Sequence, residues 1–271
     1  MKVAAIQMVS STALDDNLRV ARELLEQAVL GGAELAVLPE YFCLMGYKDT
    51  DKLALRETAG SGVIQQFLAD TARALQIWIV GGTLPMATDA PDRVRNTTLV
   101  FDPTGACVAR YDKIHLFRFS NGAEQYDEGR VIDAGDTPVQ FDLQARSGQR
   151  WRVGLSVCYD LRFPELYRAH ARAGADLLLV PSAFTHTTGQ AHWDVLLRAR
   201  AVENLAYVLA PAQGGVHANG RHTWGHSMLV DPWGSILAQR DQGAGVVAGE
   251  LDVQRLSAVR AQLPALTHRV L

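Results

Sequence analysis

The chain has 271 residues, 48% hydrophobic and 20% charged, with a formal net charge of −3, which suits a globular protein long enough to bury a core. No run of lysine or arginine stands out, which argues against nucleic acid and against an anionic membrane surface as partners. No apolar stretch approaches the roughly 18 residues of a membrane span, the start does not read as a signal peptide, and the three cysteines, Cys43, Cys107 and Cys158, form no Cys-x-x-Cys pair, so the expected setting is the reducing cytosol.

The first half opens with an expected strand over Val3–Met8. A helix follows at about Leu14–Leu30, where Leu18, Leu24, Leu25 and Ala28 recur at helical spacing and Gly31-Gly32 marks the stop. A buried-type strand, Glu34–Leu38, ends in Pro39-Glu40, a second helix covers about Gly62–Leu75, and a strand over Ile77–Val80 leads into Gly81-Gly82. Two more strands pair around Asp102-Pro103-Thr104-Gly105, whose proline and glycine suit a tight turn. The second of them runs into Tyr111-Asp112-Lys113.

The second half repeats this order. A strand over Val153–Val157 ends at Cys158, a helix begins near Pro164 and stops at Gly174, and a strand over Asp176–Val180 ends in Pro181-Ser182. A helix over about Ala191–Asn204, a strand over Ala206–Ala210 and a hairpin at Asp231-Pro232-Trp233-Gly234 complete it. Gly-Gly-Ala-Glu-Leu-Ala-Val-Leu-Pro-Glu (31–40) echoes Ala-Gly-Ala-Asp-Leu-Leu-Leu-Val-Pro-Ser (173–182), and Leu-Val-Phe-Asp-Pro-Thr-Gly (99–105) echoes Leu-Val-Asp-Pro-Trp-Gly (229–234). Two matches in the same order predict a pseudo-twofold α/β fold. Its expected form is two face-to-face sheets covered by helices, a four-layer α-β-β-α sandwich in one domain. Residues 117–135 read as an irregular insertion long enough to suspect function.

Three side chains stand where chemistry is expected. Cys158 closes a strand and opens a loop, the place where α/β folds gather ligands and where backbone N–H groups are exposed for an oxyanion; a buried, inert cysteine is the competing reading. Glu40 closes a wholly apolar strand, where an unpaired carboxylate is costly, so it is a candidate general base, or else a solvated loop carboxylate. Lys113 ends a hairpin strand, where its ammonium could favour a thiolate or hold an oxyanion, or else lie on the surface.

Leu-Ala-Val-Leu-Pro-Glu40, Tyr-Asp-Lys113-Ile-His-Leu-Phe and Val-Gly-Leu-Ser-Val-Cys158-Tyr-Asp-Leu-Arg-Phe-Pro-Glu resemble, in order, the motifs of the nitrilase superfamily of carbon–nitrogen hydrolases. The resemblance runs from Val3 to the closing Leu-Pro-Ala-Leu-Thr-His-Arg. It implies an α-β-β-α sandwich, a Glu-Lys-Cys triad and no cofactor. Cys158 would attack the carbonyl and Glu40 act as base. Lys113, with the backbone N–H of Tyr159, would hold the oxyanion; ammonia would leave, and water would hydrolyse the thioester. A second glutamate is implied near the triad: Glu128 fits better than Glu124, lying seven residues before Gly135-Asp136. Ser182, Phe184 and Thr185 are expected to line the pocket. Gly-His-Ser-Met-Leu-Val-Asp-Pro-Trp-Gly (225–234) is most similar to the branch of ω-amidases and deaminated-glutathione amidases, although nitrile and N-carbamoyl hydrolysis use the same triad. That branch implies a small-molecule amide substrate and a homo-oligomer.

Arg162 is a candidate for pairing with a substrate carboxylate, or with Glu165 inside the fold. His217, His222 and His226 lie close in sequence but lack the spacing of a helical ligand pair, so no metal site is expected. His115 reads as structural. A non-catalytic binding protein on the same fold is the rival from another class, and the reactivity of Cys158 toward alkylating agents separates the two.

Overall fold

The computed structural model describes residues 1–122 and 124–270. The first half runs β1 (Lys2–Gln7), α1 (Leu14–Leu30), β2 (Leu35–Val37), α2 (Val63–Leu75), β3 (Trp78–Val80), β4 (Leu84–Ala87), β5 (Val94–Phe101) and β6 (Cys107–Asp112). A small ribbon, β7 (Arg118–Ser120) with β8 (Gln125–Asp127), follows. The second half runs β9 (Gln140–Gln144), β10 (Arg150–Leu155), α3 (Pro164–Arg172), β11 (Leu177–Leu179), α4 (His186–Asn204) and β12 (Tyr207–Ala210). It closes with β13 (Gly214–Val216), β14 (His222–Trp224), β15 (Ser227–Val230), β16 (Ile236–Arg240), β17 (Gly245–Glu250) and α5 (Val253–Gln262).

Two sheets carry the pseudo-symmetry. In one, β1, β2 and β3 are parallel neighbours and β5 and β6 continue antiparallel; in the other, β10, β11 and β12 are parallel and β15 and β16 continue antiparallel. The outer edge of each is completed in the same way. β9 lies antiparallel to β10, and β17 returns from the end of the chain to lie antiparallel to β1, from Lys2↔Glu250 to Gln7↔Gly245. The helices repeat too: α2 and α4 both end on a left-handed residue, Gln76 (φ 53°) and Leu205 (φ 46°), which turns the chain straight into β3 and β12.

The parallel strands read as continuous apolar runs because both faces are buried. Val3, Ala5, Leu35 and Val37 pack between the sheets with Trp151, Val153, Leu155, Leu177 and Leu179. Ala4, Ile6, Ala36 and Leu38 face the other way, against Leu18, Ala21, Leu25, Leu68 and Ala72 of α1 and α2. Period-two alternation thus divides each first-sheet strand between two cores, giving the four expected layers.

Two expectations need correction. α4 begins at His186, five residues before the expected start, because Thr185 caps it: its Oγ1 accepts from the Thr188 N–H at 3.3 Å. His-Thr-Thr-Gly conceals this start, since threonine and glycine are poor helix formers; the glycine is needed because a side chain at Gly189 would overlap Trp224. The 117–135 segment is not wholly irregular, holding the β7–β8 ribbon and a 3₁₀ turn at Glu128–Arg130. The sequence also concealed β4, β13, β14, β17, α5 and a 3₁₀ turn over Asp49–Leu55.

Candidate active site

The carboxyl ends of β2, β6, β10 and β11 meet at one edge of the sandwich, and each delivers part of the site. Past β2 the chain turns sharply, with Tyr41 at φ 55° and its N–H donating to Thr83 Oγ1 at 2.9 Å. Gly82 makes room for this turn; a Cβ there would overlap the Pro39 carbonyl oxygen. Glu40 is thereby held 1% exposed. Its Oε1 accepts from Asn96 Nδ2 at 2.9 Å and Lys113 Nζ at 2.8 Å, and its Oε2 from the Ala183 N–H at 3.0 Å. Across the sheets, Gln213 Nε2 donates to the Glu40 carbonyl at 3.1 Å.

Lys113, also 1% exposed, sits between two carboxylates. Nζ lies 2.8 Å from Glu40 and 2.8 and 3.0 Å from the two oxygens of Glu128. Glu128 accepts in addition from the Tyr41 hydroxyl and the Phe117 N–H, both at 2.7 Å. Glu128 is therefore the glutamate beside Lys113. Glu124 stands apart, accepting from Thr187 Oγ1 at 2.9 Å.

Cys158 occupies a left-handed backbone position, φ 49°, and its N–H donates to the Pro181 carbonyl at 3.0 Å. A non-glycine residue in this conformation costs of order 1–3 kcal/mol and must be held by its surroundings. Asp160, fully buried, does much of the holding. Its carboxylate accepts from the Val157 N–H at 2.8 Å, the Tyr111 hydroxyl at 2.6 Å, the His115 N–H at 3.0 Å and His115 Nδ1 at 2.7 Å. The His115 ring stacks on Phe163 at 3.7 Å between centroids. One carboxylate thus ties the turn bearing Cys158 to the segment bearing Lys113, and His115 is structural.

The electrostatics follow from burial of four ionisable groups together. Burial pushes the Cys158 thiol well above the usual range, with Glu40 adding to the effect and Lys113 opposing it. Glu40 is also raised by burial, against the pull of Lys113. For Glu128, burial is outweighed by Lys113, the Phe117 N–H and the Tyr41 hydroxyl, so its carboxyl lies below the usual range. Burial disfavours the Lys113 ammonium, but Glu128 and Glu40 more than offset this and hold it well above the ordinary lysine range. Cys158 therefore rests as a neutral thiol beside the Lys113 cation. Glu40 bears directly on the thiol's charge, and its carboxyl group is the candidate to take the thiol proton on attack.

A cleft with two lobes opens on Cys158. The smaller, about 210 Å³ including its open mouth, is lined by Tyr159, Arg162, Phe184, Thr185 and Thr188. The larger, about 430 Å³ including its open mouth, is lined by Glu40, Tyr41, Lys52, Tyr126, Glu128 and Arg221. Phe117, Cys158, Ala183 and Thr185 belong to both.

Tyr159, Phe184 and Thr185 all line the smaller lobe, with Thr185 doubling as the cap of α4. Ser182 does not present its side chain: it is fully buried and its hydroxyl donates back to the Val180 carbonyl at 3.0 Å. It contributes by pairing with the Ala212 segment and so fixing Ala183. Arg162 reaches His192 Nδ1 at 3.2 Å rather than Glu165, and packs over the Tyr159 and Phe184 rings. His217 is satisfied by the Ser10 carbonyl and Thr223 Oγ1, and among the described residues no group of three or more His, Cys, Asp or Glu is arranged to hold a metal ion. Asn96, Asp160, Tyr41, Lys52 and Arg221 went unnoticed in the sequence. An asparagine inside an apolar strand and an aspartate two residues after the cysteine were the available signals for two of them. Lys52 and Arg221 carried none.

The model of the carbon–nitrogen hydrolase family matches residues 2–261. The deaminated glutathione amidase of Synechocystis sp. is 44% identical over 270 residues, covering 98% of this chain and 97% of that protein. Among solved structures, Saccharomyces cerevisiae Nit3, a member of branch 10 of the nitrilase superfamily, superposes with a TM-score of 0.87 at 30% identity, over all of this chain and 97% of its own. A glutamate-to-glutamine mutant of an amidase from Nesterenkonia sp., showing the result of Michael addition of acrylamide at its active site cysteine, matches with a TM-score of 0.77 at 28% identity over 97% of this chain and 98% of its own.

Proposed function

The chain belongs to the carbon–nitrogen hydrolase family, and from that premise we propose that it hydrolyses deaminated glutathione or a close analogue through a thioester on Cys158. The observation that carries the reading is Lys113 Nζ held 2.8 Å from both Glu40 and Glu128 in a buried cleft beside the Cys158 thiol. On this reading, sulfur attacks the amide carbonyl carbon as Glu40 takes the thiol proton. The negative charge that develops on the carbonyl oxygen is met by Lys113 and the Tyr159 N–H. Glu40 then passes the proton to the departing nitrogen, the C–N bond breaks, and the acyl group stays on sulfur. Water enters, gives a proton to Glu40 and attacks the thioester, and the thiol is restored as the acid leaves. Glu128 keeps the lysine charged and oriented. The cysteine adduct of the Nesterenkonia relative supports the choice of nucleophile.

The substrate reading rests on Arg162 and on the names of the relatives. Deaminated glutathione is an α-keto acid joined through its side-chain amide to cysteinylglycine. Arg162, half-buried at the smaller lobe, offers a planar donor pair to the keto-acid carboxylate. The bond cleaved would then release a dipeptide amine, whereas a terminal carboxamide would release ammonia. Incubation with deaminated glutathione should yield 2-oxoglutarate with the purified protein and none with Cys158→Ala. If the two proteins gave equal yields, the nucleophile would be misassigned; if neither cleaved it while a nitrile or an N-carbamoyl amino acid was turned over, the substrate class would be wrong.

A further inference from the structure

The larger lobe has a feature that the triad does not use. Lys52 and Arg221 both line it, half-buried. Each lies over an aromatic ring, Lys52 Nζ 4.9 Å from the centre of Tyr41 and the Arg221 guanidinium 5.1 Å from that of Tyr126. Among the described residues, neither has a carboxylate within 4 Å in an ion pair, unlike Lys113 in the same cleft. Of the lobe's other charges, Glu40 and Glu128 hold Lys113 and Asp127 lies 3.8–3.9 Å from Arg130 and Arg118, while burial pulls the Lys52 ammonium below the ordinary lysine range against the opposing charges of Glu128 and Asp49.

The position of Glu40 decides which end of a substrate this lobe receives. Glu40 must return its proton to the departing nitrogen, and it lines the larger lobe but not the smaller. The acyl part therefore belongs beside Arg162, and the leaving amine beside Lys52 and Arg221. The triad itself argues for cations here. Glu40 and Glu128 flank the single Lys113 ammonium, so carboxyl groups outnumber cations around the thiol.

We propose that Lys52 and Arg221 form a second anion subsite, one that recognises a carboxylate carried by the leaving amine. The enzyme would then select amides that are charged at both ends, with Arg162 reading one terminus and Lys52 with Arg221 the other. Tyr41 and Tyr126 act as rigid faces that hold the two cations in place while the subsite is empty. This inference rests on the amidase reading above.

The test compares deaminated glutathione with its C-terminal carboxamide, which is the same molecule lacking only the distal charge. The wild-type protein should favour the acid by roughly tenfold or more in kcat/KM, the range of one charge-assisted contact. The ratio should fall toward one in Lys52→Met and Arg221→Met and narrow with added salt. Arg162→Met should slow both substrates alike and keep the ratio. Equal wild-type rates on acid and carboxamide, or Lys52→Met and Arg221→Met variants that slow both by the same factor, would overturn the subsite and leave the amidase reading standing. A wild-type protein that cleaved neither would remove both.

Discussion

Replacing Asp160 with asparagine tests how the turn bearing Cys158 is held. The carboxylate accepts four hydrogen bonds at 2.6–3.0 Å, and two of its donor residues, Tyr111 and Val157, are fully buried. An asparagine can keep its oxygen toward His115, but its NH₂ then faces Tyr111 and the Val157 N–H. The tyrosine hydroxyl can rotate and accept instead. The Val157 N–H cannot, and a buried donor without a partner costs about 1–3 kcal/mol, with roughly 1 kcal/mol more for each bond that loses its charge. The sum is about 3–5 kcal/mol, a fall in Tm of roughly 10 °C for a chain of this size. The same loss frees Cys158 from its left-handed backbone, and a displacement near 1 Å at a nucleophile costs on the order of 10² in rate. Urea denaturation and kcat measured on Asp160→Asn check both figures. Tyr111→Phe, which removes one donor to Asp160 and a long 3.4 Å acceptor contact for the Ile114 N–H, should cost only about 1–2 kcal/mol. An Asp160→Asn protein within about 1 kcal/mol of wild type and fully active would refute the account of Asp160 as the tie between the turn and Lys113.

Cys158→Ala should abolish turnover with little loss of stability, because the smaller side chain keeps the backbone hydrogen bond to Pro181; activity and thermal unfolding measured together check this. Glu128→Gln should lower kcat by about 10² as Lys113 loses its second partner. It should also shift both the alkylation profile of Cys158 and the acid limb of turnover to lower pH, since the Glu128 charge raises the pKa of both Cys158 and Glu40; a shift to higher pH would reverse the electrostatic assignment. Gly82→Ala should destabilise by roughly 1–3 kcal/mol and slow turnover by moving Pro39 and Glu40, and a variant matching wild type in both would show that the turn has slack.

The sequence revealed most where a single stretch of chain carried the whole signal. Glu40, Lys113 and Cys158 each end a strand, and a strand's period and its terminating residue are local. The pseudo-twofold order could be read for the same reason. What escaped notice was assembled from pieces that do not announce one another. Asn96 matters only because Glu40 folds against it from 56 residues away, and Lys52 and Arg221 share a lobe although 169 positions separate them in the chain. Ser182 was misread because its pseudo-symmetric counterpart, Glu40, does point into the cleft, while the serine's short hydroxyl finds the Val180 carbonyl first. The early start of α4 was hidden because Thr185 is known as a cap only once Thr188 is seen donating to it.

The return of β17 to β1 bears on how the protein comes into being. Until residues 245–250 arrive, the first strand presents a bare row of amides, and the opening sheet is an adhesive border for any neighbouring chain. Every step of synthesis before that point carries this exposure, and folding must wait for partners as far apart as Lys2 and Glu250 to meet, the slow kind of closure. The main-chain bond between Met1 and Leu251 then fastens the earliest and the latest portions together. Clipping the tail before β17 should therefore yield aggregates rather than a smaller enzyme, though every group around Cys158 would still be present.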